Sequence, residues 1–200
     1  MATLTPFDVN LQHDLSAERL WLINEWLFKW HSINITGKVV DVENFRGGRI
    51  NVGGVLFCGS VRDVYWSTIG AHLSAKVRRI YERWHSETSA YPLPLRQSSL
   101  ENTAFLLKSY AARVIDHARD TDRRLRGRGF PEKVPPYDAS ALYIQAQAEI
   151  EDLKTAHGQL LGEIDAETTK PVGLAKRVDV LIRAGRAWSP ASVSSSRCSP

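Results

Sequence analysis

The sequence predicts a mainly helical α+β fold: a four-helix bundle-like core, one β-hairpin inserted between the first and second helices, and a short C-terminal helix. Three observations carry that expectation. Apolar residues recur at steps of three and four in four long segments. One Val-rich stretch around adjacent glycines reads as β instead. The links between the long segments are short, which favours antiparallel neighbours.

The first helix is expected to start near Ser16, whose hydroxyl can cap free backbone N–H groups. Leu20, Leu22, Ile23, Trp26, Leu27 and Trp30 then fill one broad arc, with Glu25 and Lys29 opposite. Three of the six tryptophans, Trp21, Trp26 and Trp30, fall in this segment. Two readings compete for them: a heavily buried core helix, or a helix lying in a membrane interface. The polar face offers one lysine against Glu18 and Glu25, which suits anionic lipid poorly, so the core reading leads.

Lys38–Phe45 and Ile50–Phe57 are the two expected strands, and Gly47–Gly48 supplies a two-residue turn because glycine tolerates positive φ. That pairing sets Phe45 beside Ile50 and Val40 beside Val55. Ser60–Val61–Arg62–Asp63 is a capping signature opening a second helix over about 61–86, with Trp66, Ile69, Leu73, Val77, Ile80 and Trp84 on one stripe. Tyr91–Pro92–Leu93–Pro94 ends it, since proline breaks the hydrogen-bond ladder. A third helix opens at Ser98–Ser99–Leu100–Glu101 and buries Leu100, Ala104, Leu107, Ala111, Val114, Ala118 and Leu125. A fourth, capped by Asp138 or Ser140, runs to about Glu167. Its Ala146, Ile150, Leu153, His157, Leu160 and Ile164 follow a heptad spacing, the seam of packed or paired helices. Residues 1–170 thus read as one helical domain with the hairpin at 38–57, followed by a short basic amphipathic helix at 171–188 and a disordered Ser-rich tail at 189–200.

Composition narrows the function classes. Hydrophobic residues at 43% and charged residues at 24% exclude a wholly disordered chain. No apolar run reaches the roughly 18 to 20 residues that a membrane span needs, so membrane insertion is not expected. Two cysteines, Cys58 and Cys198, exclude a disulfide scaffold. With no secretory leader pattern at its start, the chain is expected to be cytoplasmic.

Candidate chemistry is sparse. Cys58 stands between a strand end and a helix N-terminus, where the helix dipole would favour a thiolate, but no histidine neighbours it in sequence. The apolar Val55–Leu56–Phe57 before it fits an inert cysteine equally well. Glu82 and His85 have the spacing of a metal-binding helix pair, yet a second copy is missing, and Asp116, His117 and Asp120 interleave with arginines. No metal or cofactor is expected.

The basic surfaces are the clearest binding signal. His72, Lys76, Arg79 and Arg83 form a line on the second helix, begun by Tyr65. Arg119, Arg123, Arg124, Arg126 and Arg128 gather near the end of the third, and Lys176, Arg177, Arg183 and Arg186 lie further on. Phosphate backbones attract such patches. Neutralisation within the chain is the competing reading, with Asp116–Arg119, Asp120–Arg124 and Asp122–Arg126 at helical spacings. The resulting expectation is a non-catalytic binding protein that engages a macromolecular partner, a protein first, through helical surfaces. Self-association along the seam is a second use of the same surfaces; nucleic-acid binding along the basic lines and catalysis by Cys58 are the alternatives.

Overall fold

A computed structural model of the chain describes residues 4–27, 30, 40–43, 49–52, 59–126 and 136–169. They fall into two compact units, Met1–Leu161 and Gly162–Pro200. Four helices build the first unit: α1 (Pro6–Trp21), continued by a π-helical stretch Leu22–Leu27, α2 (Gly59–Glu87), α3 (Leu93–Arg126) and α4 (Ser140–Thr169). The last eight residues of α4 are the described part of the second unit.

The α+β class is corrected by this structure. Every side chain of the described core comes from a helix or its immediate flank, and no sheet layer contributes to it. The paired extended segments are only four residues each, β1 (Val40–Glu43) and β2 (Arg49–Val52), against the eight apiece expected. Val40 lies opposite Val52 and Val42 opposite Ile50, so the expected pairing of Val40 with Val55 and Phe45 with Ile50 is wrong by three positions. The expected Gly47–Gly48 turn lies outside the described residues. Two such short strands are no independent element of a fold. The C-terminal helix at 171–188 and the tail at 189–200 lie outside the described residues.

α1 begins ten residues earlier than Ser16. Thr5 accepts the Asp8 N–H at 3.2 Å while its own N–H donates to Asp8 Oδ2 at 2.8 Å, a reciprocal capping box with Pro6 at the first helical position. Ser16 sits inside the helix, its hydroxyl donating to the Gln12 carbonyl at 2.8 Å. Phe7, Leu11 and Leu15 point inward, and the wide π turn carries the buried face on to Leu22, Trp26 and Leu27. Trp26 and Trp30 are buried, which removes the membrane-interface reading for them; Leu20 faces outward, against the expected arc, and Trp21, which that arc did not include, is exposed as well.

The stripe expected on α2 is entirely buried, joined by Tyr65 and Tyr81. The stripe expected on α3 is buried too, with Tyr110 and Ile115 beside it. α3 opens at Leu93, five residues before Ser98, because Pro94 in the first turn forfeits no hydrogen bond there. Ser98 is therefore inside the helix and not its cap. Ser99 is buried and donates to Asp8 Oδ1 at 2.7 Å while Asn102 Nδ2 donates to Asp8 Oδ2 at 3.2 Å, so the α1 cap is tied to α3.

Polar pins cross the bundle at three further points. Asp122 on α3 takes both Arg62 Nε at 2.8 Å and Nη2 at 3.0 Å, and its Oδ2 also accepts Trp66 Nε1–H at 2.8 Å. Tyr65 donates to the Ala118 carbonyl at 2.9 Å, and Tyr81 donates to the Ile150 carbonyl at 3.1 Å. Aromatic rings fill the space around Tyr65: Trp26 stacks at 5.7 Å, while Trp30 and Trp66 meet it edge-on at 5.0 and 5.4 Å. Tyr137 stacks on Trp66 at 4.3 Å.

Candidate functional site

Folding separates the basic line into members with different duties. His72 is buried, 2.9 Å from the Tyr110 hydroxyl, and burial together with Lys76 and Arg79 lowers its pKa to about 4. Although Glu18 lies 3.6 Å away, this ring is neutral at pH 7, and the Glu18 carboxylate is instead paired with Lys76. Arg83 bridges Asp14 and Glu87, each at 2.9 Å. Tyr65, where the line begins, is a core residue. Only Arg79 projects without an acidic partner among the described residues.

The α3 arginines divide similarly. Arg119 approaches Asp116 at 3.9 Å, while Asp120 pairs with Arg123 at 2.7 Å in place of Arg124. Asp122 turns inward to Arg62, and Arg124 is exposed. The side chain of Arg126, and Arg128, Cys58, Lys176, Arg177, Arg183 and Arg186 entirely, lie outside what is described. Among the described residues no group of three or more His, Cys, Asp or Glu is placed to hold a metal.

The heptad seam splits as well. Ala146 and Ile150 are in the molecule's own core, and Leu153 packs against it. His157 is half-buried, whereas Leu160 and Ile164 are 45% and 43% exposed, with Leu161 taking the buried position. A straight α-helix drifts by about 20° per heptad, so the inward face slides off a strict seven-residue pattern.

Two grooves open beside α1. One, of about 670 Å³, runs along α2 past Glu18, Trp21, Lys76, Arg78, Arg79 and Glu82. Its charges are largely answered: Lys76 by Glu18, and Arg78 by Glu149 at 2.8 Å. The other, of about 210 Å³, lies between α1 and α3 and is lined by Leu15, Arg19, Phe105, Leu106, Tyr110 and Arg113. Phe105 is 69% exposed. Arg19 and Arg113 have no carboxylate partner among the described residues. Tyr110, whose pKa is raised by burial and then by Glu18, remains a phenol and links this groove to His72. An apolar floor beside two unanswered cations can hold an amphipathic acidic segment.

Arg19, Phe105 and Arg113 were not singled out by sequence reasoning. The available signal was Phe105 itself, an aromatic ring about 200° around the helix from Leu107 and so off the core stripe. Comparisons with protein-family models, with curated proteins and with solved structures give no match. No helix among the described residues is long and apolar enough to cross a membrane.

Proposed function

We propose that the protein is a non-catalytic binding module whose α1–α3 groove takes an acidic amphipathic helix from a partner protein. The apolar side chains of such a helix would cover Phe105 and Leu106, and its carboxylates would pair with Arg19 and Arg113. One observation carries the reading: an exposed aromatic ring and two arginines without a carboxylate partner among the described residues line the same groove. Aromatic and arginine side chains are the residue types that dominate protein interfaces, and amphipathic helices dock into grooves of this kind.

Selection from a library of displayed helical peptides tests it. Enriched peptides are expected to combine two apolar positions one turn apart with neighbouring Asp or Glu. Arg113→Glu or Arg19→Glu is expected to weaken the best peptide at least tenfold, with Arg124→Glu leaving it unchanged. Absence of acidic enrichment, or peptide affinity indifferent to both substitutions, overturns the reading. Retention of single-stranded polynucleotide that falls steeply with salt and depends on Arg79 and Arg124 would instead favour the nucleic-acid alternative.

A further inference from the structure

Near the C-terminal end of α2, one indole collects polar atoms that no group among the described residues satisfies. Trp84 is fully buried and its Nε1–H has no acceptor. The Arg96 guanidinium lies over that ring, 5.5 Å from its centre, 7% exposed, with Nε–H also lacking an acceptor. His157 meets the same ring edge-on at 5.4 Å, and its buried Nδ1 is the third atom with no partner. Native proteins rarely leave such groups unmatched, and the cost is greatest beside a buried charge.

The surrounding charges sharpen the point. Tyr81 stacks on His157 at 5.5 Å, and His85 stands 5.7 Å from it. Both acids that bear on Tyr81 are already committed: Glu101 to Lys154 at 2.7 Å and Glu151 to Lys108. Lys154 itself sits one turn before His157 on α4. Burial, then His85 and Arg96, lower the His157 pKa, as expected where no carboxylate stands close. Arg96 has no ion-pair partner in the described structure. Bridging water would complete hydrogen bonds there but would leave the guanidinium charge unanswered.

We propose that Arg96, Trp84 and His157 form a site for an oxyanion, a carboxylate or phosphate group, entering past the exposed His85. Arg96 supplies the charge and an N–H, Trp84 a second N–H, and His157 a third donor once its Nδ1 carries a proton. Charge-assisted hydrogen bonds from guanidinium to an oxyanion are among the stronger polar contacts available to a protein. A neutral ring can donate from Nδ1 as well, but the charge of a bound anion favours the protonated ring, so affinity rises as pH falls. The site is separate from the α1–α3 groove and does not depend on it.

The test titrates the full chain with sodium phosphate and, separately, sodium acetate at constant ionic strength set by chloride. The readouts are tryptophan fluorescence and the His157 ring signals in NMR. One saturable site is expected at pH 6, with phosphate binding alone marking a phosphate site and acetate binding a carboxylate site. Arg96→Met is expected to weaken binding at least tenfold, while Arg19→Met, in the groove, leaves it unchanged. His157→Phe keeps the ring packing and is expected to remove the pH dependence. Should Arg96→Met fail to fold, His157→Phe and Arg96→Lys read the site in its place. Anion responses no greater than those to chloride, or equal in the wild type and the Arg96 and His157 variants, overturn the proposal.

Discussion

His72 gives the sharpest quantitative expectation. In the unfolded chain its imidazole titrates near 6.5; in the folded protein burial, Lys76 and Arg79 bring it down to about 4. Above pH 6.5 neither state holds the proton, so the residue adds no pH dependence. Below 6.5 the unfolded state takes up a proton that the folded state refuses, and stability falls as the pH drops. The slope ends near pH 4, where both states are protonated. A gap of about two and a half pH units at 1.36 kcal/mol each gives a loss of about 3 kcal/mol, a large share of the roughly 5 to 15 kcal/mol that holds an ordinary domain together. Urea denaturation followed by circular dichroism at half-unit steps from pH 7.5 to 4 measures it. His72→Gln keeps a hydrogen-bonding partner for the Tyr110 hydroxyl but has no charge to gain. Because carboxylates and the other histidines titrate in both proteins, the expected signal is the difference: the wild type loses about 3 kcal/mol more than the variant between pH 7 and 4. Parallel stability curves, or a His72 ring that titrates above pH 6 in the native protein, would refute the reasoning.

Four other outcomes follow from the packing. Asp122→Asn leaves the Arg62 guanidinium without its buried counter-charge, and a loss of about 3 to 5 kcal/mol is expected in chemical denaturation. Asp8→Ala removes the α1 capping box and the acceptor for Ser99, costing about 2 kcal/mol, which thermal unfolding should show as a drop of roughly 4 to 8 °C for a chain of this size. Tyr81→Phe deletes one buried hydrogen bond, to the Ile150 carbonyl, for about 1 kcal/mol by the same measurement. Gly158→Ala is expected to stabilise by about 0.5 to 1 kcal/mol, since the added Cβ meets only Leu100 Cδ2 at an ordinary 3.8 Å and the helix gains a better former.

What was readable in the sequence, and what was not, divides along physical lines. The α2 and α3 stripes were legible because a helix packed on one side must repeat its apolar residues at 3.6: Trp66 through Trp84 do so without interruption, and Leu100 through Leu125 do so except where Thr121 and Asp122 take the inward position. The start of α1 was missed although Thr5–Pro6–Phe7–Asp8 carries the capping pattern, because Phe7, Leu11 and Leu15 are too sparse to announce a face before the tryptophans begin. The α4 seam enters the molecule's own core at Ala146, Ile150 and Leu153, while further on the buried position passes from Leu160 to Leu161. The β reading erred in extent and register because valine content and glycine pairs specify extended backbone without fixing which residues face each other. The candidate groove was not legible at all: Arg19 and Arg113 acquire meaning only when two helices ninety residues apart in the chain are laid side by side.

Charge explains why the surface was harder to read than the core. Along a single helix, Asp122 is a suitable partner for Arg126 and Asp120 for Arg124. In the bundle, Asp122 is worth more to Arg62, sixty residues away, because a bidentate bond shielded from water is stronger than an exposed i,i+4 pair. Each such choice across helices frees or consumes a cation elsewhere. Glu18 taken by Lys76 and Asp14 by Arg83, with His72 neutral in the core, strip the expected basic line of most of its free charge. The arginines without an acid among the described residues, Arg19, Arg79, Arg113 and Arg124 on the surface and Arg96 within, are a remainder set by tertiary pairing, and no reading of one helix at a time can compute a remainder. The proposed binding therefore rests on which acids the fold has already spent inside it more than on the density of basic residues along the sequence.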